Sequence, residues 1–522
     1  MINQASIMED EDSVDEVDTM ESSCLIKSVA DNIISTPPKV PGWISARYAL
    51  ACFSFLGFLN VYAMRVNLSV ALVAMVNNTL SNHSSVCPAA ENLNQTKQDG
   101  EFNWDESTQG QILGSFFYGY ILTQLPGGWM ADRFGAKRIF GLGVLCTSVL
   151  TLATPLAARA GYPWLIAVRI LEGLGEGVTF PAMHSMWGHW APPLERSKLV
   201  TMSYSGMHIG TVISLPISGL LSDSNFLGGW PSVFYVFGVS GIIWFVIWML
   251  CVHDKPSCHP RISAVERVYI ETSIGIKEKN YSVPWLSILT SLPVWGIIIG
   301  HFSNNWGFYT LLTNLPTYLK VVLGFDLSQS GFLAAVPYLT LWFVMLIGGQ
   351  VADYLRGNGI LSTVTTRKMF NSMGLILPAT FLVITGYVGC NYTLAVVFLT
   401  LSVGLVGVAQ SGYNVNHLDI APRYAGALMG ITNMVATIPG FVSPVLVGVL
   451  TEDQETFQQW RLIFWISFGV YMFGMVSYIL LAAGEEQPWA TVNVKELSGI
   501  SNPESLSHPK QTDAEEGKDV LQ

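Results

Sequence analysis

Apolar residues in this chain fall into long runs separated by short polar or turn-rich breaks. The runs lie at 46–76, 108–131, 139–158, 163–186, 198–222 and 230–252, then at 291–318, 329–352, 367–388, 392–415, 423–450 and 460–483. A helix needs roughly 20 mainly apolar residues to cross the hydrocarbon core of a bilayer, so each run predicts one crossing. The fold class expected is an all-α polytopic membrane protein of 12 transmembrane helices in two six-helix bundles. The bundles would occupy 42–252 and 291–483, joined by a polar linker, 253–290, that contains Pro256, Pro260 and Pro284. Residues 1–41 and 484–522 read as acidic, disordered tails, because they are polar and poor in aromatic residues.

Composition supports this division. Half the residues are hydrophobic and only 12% are charged, which leaves little material for a soluble catalytic domain. The net charge of −11 sits in the tails: the first carries nine acids and two bases, the second eight acids and three bases, and the core is close to neutral. Neither a nucleic-acid partner nor an enzyme is indicated, since no nucleophile–base constellation emerges. The seven cysteines include no CxxC pair and no metal-ligand spacing, so no metal or cofactor is expected. Cys87 and Cys390 both fall on the predicted non-cytosolic side, where a disulfide is chemically allowed.

Lys and Arg accumulate on the cytosolic side of membrane proteins. With both termini cytosolic, 20 of them are cytosolic, four (Lys97, Arg159, Lys320 and Arg461) are on the other side, and two lie within helices. Glycosylation acceptors at Asn77, Asn82, Asn94 and Asn391 then fall on the modifiable side. A fifth, Asn67, lies inside the first run and should stay unmodified.

The two halves share a signature. Gly128-Trp-Met-Ala-Asp132-Arg133-Phe-Gly135-Ala-Lys137-Arg138 has a fainter partner in Gly349-Gln-Val-Ala-Asp353, followed by Arg356, Arg367 and Lys368. Glycine permits close helix approach and an aspartate can accept from a neighbouring helix N-terminus. Asp132, Arg133, Lys137 and Asp353 are therefore candidate conformational or gating residues.

Charges inside the apolar runs carry the chemistry, since an ionised group at the bilayer centre costs roughly 2.5–3.5 kcal/mol on insertion scales. Arg65 shares a helical face with Tyr62 and Ser69. It is either an anion-binding guanidinium or a structural arginine paired to a buried acid. Arg169, Glu172, Glu176 and His184 form a stripe in the fourth run, where one acid can pair with arginine while another exchanges a proton; a permanent helix-locking salt bridge is the alternative. Asn305 and Tyr309 form a polar face in the seventh run, which begins at His301, and Tyr118 accompanies them as a candidate solute contact. His208, His417 and Asp419 lie near predicted cytosolic helix ends, where capping or gating competes with proton transfer.

Four segments carry a resemblance: Tyr62-Ala-Met-Arg65-Val-Asn-Leu-Ser69, Gly114-Ser-Phe-Phe-Tyr118-Gly-Tyr120, Arg169-Ile-Leu-Glu172-Gly-Leu-Gly-Glu176 and Asn416-His417-Leu-Asp419-Ile-Ala-Pro. Over about 42–490 the chain resembles solute carrier family 17 of the major facilitator superfamily. Within it, Ala182-Met-His184-Ser-Met-Trp187 and His301-Phe-Ser are similar to the branch that exports sialic acid and acidic sugars with protons. The glutamate-carrying branch has histidine where this chain has Leu113, and arginine where it has Asn304.

The resemblance implies a lysosomal symporter with the proton as coupling ion and sialic acid or another small organic anion as substrate. Arg65 would bind the carboxylate, helped by Tyr62, Ser69, Tyr118, Asn305 and Tyr309. Arg169, Glu172, Glu176 and His184 would couple the proton. Anionic amino acid or inorganic anion transport, including vesicular uptake driven by potential, stays open, as does a receptor or channel. Synaptic vesicle and plasma membrane are the other membranes considered. Glu21, Leu25 and Ile26 fit an acidic dileucine signal read by clathrin adaptors, although the family tail would carry Leu-Leu.

Overall fold

The computed structural model describes residues 45–77, 100–192, 195–274, 283–452 and 456–491. Glu21, Leu25, Ile26, Asn82, Asn94 and Cys87 lie outside them. The first half runs through α1 (Ala46–Met75), α2 (Glu106–Phe134), α3 (Ala136–Ala160), α4 (Tyr162–Gly177), α5 (Thr179–Trp190), α6 (Arg196–Asp223) and α7 (Pro231–Cys251). Two short helices, α8 (Ala264–Ile274) and α9 (Trp285–Thr290), lie in the linker. The second half comprises α10 (Leu292–Thr317), α11 (Leu327–Gly357), α12 (Thr363–Thr385), α13 (Tyr392–Ala409), α14 (Val415–Ile420), α15 (Ala425–Ala436), α16 (Ile438–Thr451) and α17 (Phe457–Leu481).

Eight of the helical stretches among the described residues are long and apolar enough to cross a membrane. The other four runs are α2, the α4–α5 pair, α6 and α10. α4 carries Arg169, Glu172 and Glu176 and α10 carries His301, Asn305 and Tyr309, so polarity and membrane depth conflict where a site is built. Leu156, Leu250 and Leu480 are about three-quarters exposed on the outer surface, an arrangement suited to lipid because the backbone of each helix is satisfied internally.

The halves repeat one design. Asp105 caps α2 by accepting from Thr108 N at 2.7 Å, and Asp326 caps α11 by accepting from Gln329 N at 2.6 Å. Positions 105 and 326 are 221 residues apart, as are Asp132 and Asp353.

The linker fixes one face of the molecule. Glu266 of α8 accepts from the α1 backbone at Ala46 N (3.0 Å) and Arg47 N (3.2 Å), and from Arg47 Nη1 (2.9 Å). Arg47 Nε donates to Glu195 at 2.6 Å. Because Ser45 offers α1 no side-chain cap, Glu266 replaces one from 220 residues away. On the opposite face the two halves press together through small residues. A Cβ on Gly110 would stand 2.5 Å from the Pro444 carbonyl oxygen, and one on Gly331 2.6 Å from that of Leu215. Only glycine allows helices this close.

Candidate anion and proton site

α1 and α4 cross the interior of the first half with their charged residues facing each other. Arg65 is 5% exposed and Glu176 fully buried. Arg65 Nε donates to Glu176 Oε1 at 2.6 Å, and Nη2 donates to the same oxygen. Arg169 Nη1 donates to Glu172 Oε2 at 2.5 Å. Glu172 Oε1 accepts from the hydroxyls of Thr151 and Thr154, each at 3.2 Å. The site therefore holds two ion pairs, and Glu176 belongs to Arg65 while Glu172 belongs to Arg169.

Aromatic rings surround the Arg65 guanidinium, with Tyr62 at 4.4 Å, Tyr120 at 4.6 Å and Phe116 at 5.1 Å from it; Phe116 also lies 5.1 Å from Arg169. These ring faces favour a desolvated cation. Close approach of α2 makes the arrangement possible: a Cβ on Gly173 would overlap the Phe116 carbonyl oxygen.

Neither pair is complete. Among the described residues Arg65 Nη1, Arg169 Nε and Glu176 Oε2 are buried without a hydrogen-bond partner. Arg65 and Arg169 both line a small cavity of about 10 Å³, room for roughly one water molecule, together with Ser69, Thr313, Leu113 and Phe117. A buried donor without a partner is costly, and both arginines that carry one line this cavity.

The remaining sequence candidates are distributed as follows. Ser69 lines the cavity, with its hydroxyl donating to the Val66 carbonyl at 2.7 Å. Tyr309 is buried 4.7 Å from Phe117 and within electrostatic reach of Arg65. Asn305 Nδ2 donates to the Ala436 carbonyl at 2.9 Å. Tyr118 is not at the cluster. It is 42% exposed and rests on Phe441 at 4.9 Å, because residues two apart on a helix face away from each other and Phe116 and Tyr120 hold the inner face. His184 also departs: the helix is interrupted at Val178, and His184 Nδ1 lies 2.9 Å from the Tyr204 hydroxyl. The stripe of charge ends at Glu176. His208 is buried well inside α6 rather than at a helix end.

Asp132 does not engage a helix N-terminus. It accepts from Ser185 Oγ at 2.5 Å, and the α3 N-terminus is instead held by Asp254, which accepts from Lys137 N at 2.7 Å. Arg133 lies 5.4 Å from the Trp129 ring. In the second half Arg356 pairs with Asp353 at 3.7 Å, while Arg367 makes the stronger contact, two hydrogen bonds to Asp419 at 2.6 and 3.3 Å. Asn391 caps α13 through its side-chain oxygen, which accepts from Leu394 N at 3.2 Å, and Asn77 donates its backbone N–H to Phe102 O at 2.8 Å. Asn67 is fully buried in α1. Cys390 is disulfide-bonded; Cys87, the partner considered from sequence, lies outside the described residues.

A helical two-half fold around buried, incompletely paired charges defines a secondary transporter. Residues 50–444 match the Major Facilitator Superfamily. Human sialin is 52% identical over 458 residues, covering 86% of this chain and 92% of that protein. Bovine vesicular glutamate transporter 2 is 46% identical over 452 residues, covering 85% and 75% respectively. A solved D-xylose–proton symporter aligns with a TM-score of 0.63 at 16% identity, covering 84% of this chain and 99% of that one. The chain belongs to the major facilitator superfamily, as a sialin-like member of solute carrier family 17. It is a multi-pass membrane transporter and not an enzyme.

Proposed function

We propose that this protein is a proton-coupled transporter that exports sialic acid and related acidic monosaccharides from the lysosome lumen to the cytosol. One observation carries the reading: Arg65 and Arg169 each hold a carboxylate, each keep a further N–H group without a partner, and both line one cavity. Glu176 and a substrate carboxylate compete for Arg65. Protonation of Glu176 removes its charge, releases the guanidinium and leaves an anion as its best partner, since guanidinium and carboxylate make parallel charge-assisted bonds. Proton and anion then travel together, because either alone leaves a buried charge uncompensated. Similarity to sialin supports the sugar acid and the lysosomal membrane.

A second reading, transport of an anionic amino acid, is supported by the likeness to vesicular glutamate transporter 2. Two features disfavour it. Leu113 makes one cavity wall apolar, and Asn304 is engaged by the Tyr413 hydroxyl, which donates to it at 3.3 Å. Purified protein in proteoliposomes with an imposed pH gradient separates the readings. Labelled sialic acid uptake that collapses with the gradient is expected; glutamate uptake driven by potential alone, without sialic acid flux, would overturn the proposal.

A further inference from the structure

The second half buries two histidines that the anion site does not use. His301 on α10 and His417 on α14 are 6% and 2% exposed, and both reach the hydroxyl of Thr432 on α15. His301 Nδ1 lies 3.3 Å from Thr432 Oγ1, and His417 Nε2 lies 2.9 Å from it. The other His417 nitrogen, Nδ1, is 2.8 Å from the Asn414 carbonyl oxygen.

These contacts fix the direction of every hydrogen bond. A carbonyl only accepts, so His417 Nδ1 carries a proton, and Nε2 of the neutral ring is the acceptor. Thr432 therefore donates to His417, in preference to the Met429 carbonyl at 3.3 Å. Its oxygen accepts from His301 Nδ1–H. His301 Nε2 is left as a bare lone pair at the head of an oriented chain.

The surroundings suit proton traffic. The Tyr413 ring stacks on His301 at 4.7 Å. Asn304 Nδ2 and both amide atoms of Asn371 are buried without a partner, and buried amides of this kind are ordinarily satisfied by internal water. The ionisable groups on the packed elements include the Tyr478 hydroxyl, which donates to Asn416 Oδ1 at 3.1 Å, the Arg367–Asp419 pair, Tyr413 and Tyr471, with Tyr309 and Arg65 nearer the anion site. Thr432 is also tied to the other half through the next residue. Asn433 Nδ2 donates to Gln124 Oε1 at 2.8 Å, and Gln124 Nε2 donates to Thr437 Oγ1 at 2.9 Å. Movement of one half against the other thus acts directly on the segment that holds the chain together.

We propose that His301, Thr432 and His417 form a proton relay through the second half, moving the transported proton toward the face that carries the linker. The inference rests on the proton-coupled reading above. A proton binds His301 Nε2, and Nδ1–H passes to Thr432 Oγ1. The original hydroxyl proton passes to His417 Nε2. His417 then gives up Nδ1–H on the side of the Asn414 carbonyl, and reorientation of the hydroxyl and of both rings, with no further proton transferred, resets the chain.

The test uses Thr432→Val, which removes the hydroxyl at nearly constant shape, and Thr432→Ser, which restores it. In proteoliposomes, net sialic acid uptake driven by a pH gradient needs proton release, whereas exchange of labelled for unlabelled sialic acid at equal pH does not. Thr432→Val should lower net uptake by about 10²-fold, the low end for a positioned proton-transfer group, and leave exchange intact, with recovery in Thr432→Ser. Unchanged net uptake, or an equal fall in both rates, overturns the relay. Wild-type protein that moves sialic acid without protons overturns the coupling itself.

Discussion

Replacing Glu176 with Gln tests the central ion pair most directly. The substitution preserves the shape of the side chain and an acceptor oxygen, but removes the charge opposite Arg65. That guanidinium is 5% exposed, and the neighbouring charged residue, Arg169, is a second cation, whose Nη2 donates to the Arg65 carbonyl at 3.4 Å. The rings of Tyr62, Phe116 and Tyr120 supply about 0.5–2 kcal/mol each at best, whereas breaking a buried pair costs about 3–5 kcal/mol. Unliganded Glu176→Gln should therefore unfold at a clearly lower temperature than wild type. An anion entering the cavity restores the missing charge, so the same 3–5 kcal/mol returns as tighter binding, about 10²- to 4 × 10³-fold at most. Thermal unfolding of purified protein, with and without sialic acid, reads both effects, since a ligand stabilises as RT ln(1 + [L]/Kd). A variant as stable as wild type, with no enlarged ligand-induced shift, would show that Arg65 does not depend on Glu176 and would remove the competition at the heart of the mechanism.

Other perturbations have distinct signatures. Gly173→Ala places a Cβ into the Phe116 carbonyl and 2.8 Å from Tyr120 N; overpacking of about 1–3 kcal/mol or more should lower the unfolding midpoint and, by displacing both rings, slow transport. Glu266→Ala strips three donors of their acceptor, about 1.5–3 kcal/mol for the charged hydrogen bond alone, and should destabilise more than Glu195→Ala, because Glu195 holds only Arg47 and is 15% exposed; equal losses measured by thermal shift would contradict that ranking. On the linker face burial pushes His259 below its ordinary value of 6.5, with His253 adding repulsion, and burial likewise lowers His253, with Lys137 adding repulsion. The unfolded chain then binds more protons than the folded one, so stability should fall as pH drops through 6.5 and recover above it; His259→Asn should flatten that slope in unfolding midpoints measured from pH 7.5 to about 5.

The crossings were legible because a bilayer imposes a coarse rule on length and polarity, and the buried charges stood out for the same reason. Pairings were not legible. Helical spacing placed Arg169 with Glu172, three residues apart, but nothing local links Arg65 to Glu176 across 111 residues, Asp254 to the α3 N-terminus across 117, or Gln124 to Thr437 across 313. Phe116 and Tyr120 carried a usable signal, since they flank Tyr118 at the spacing that turns a helix toward its other face. His184 was misplaced because the spacing assumed an unbroken helix through Val178.

The tight packing of Gly110 on Pro444 and of Gly331 on Leu215 has a bearing on which part of the molecule senses acidity. At both places the contact is made to a backbone carbonyl oxygen. A contact between a glycine and a carbonyl oxygen is insensitive to salt and has no titratable group of its own. Close packing at these glycines thus does not itself respond to acidity, whereas the proton chemistry proposed above lies with the buried carboxylates and with the His301–Thr432–His417 chain. For the proton-coupled transport proposed above, acid would not loosen the contacts made of glycine and carbonyl oxygen.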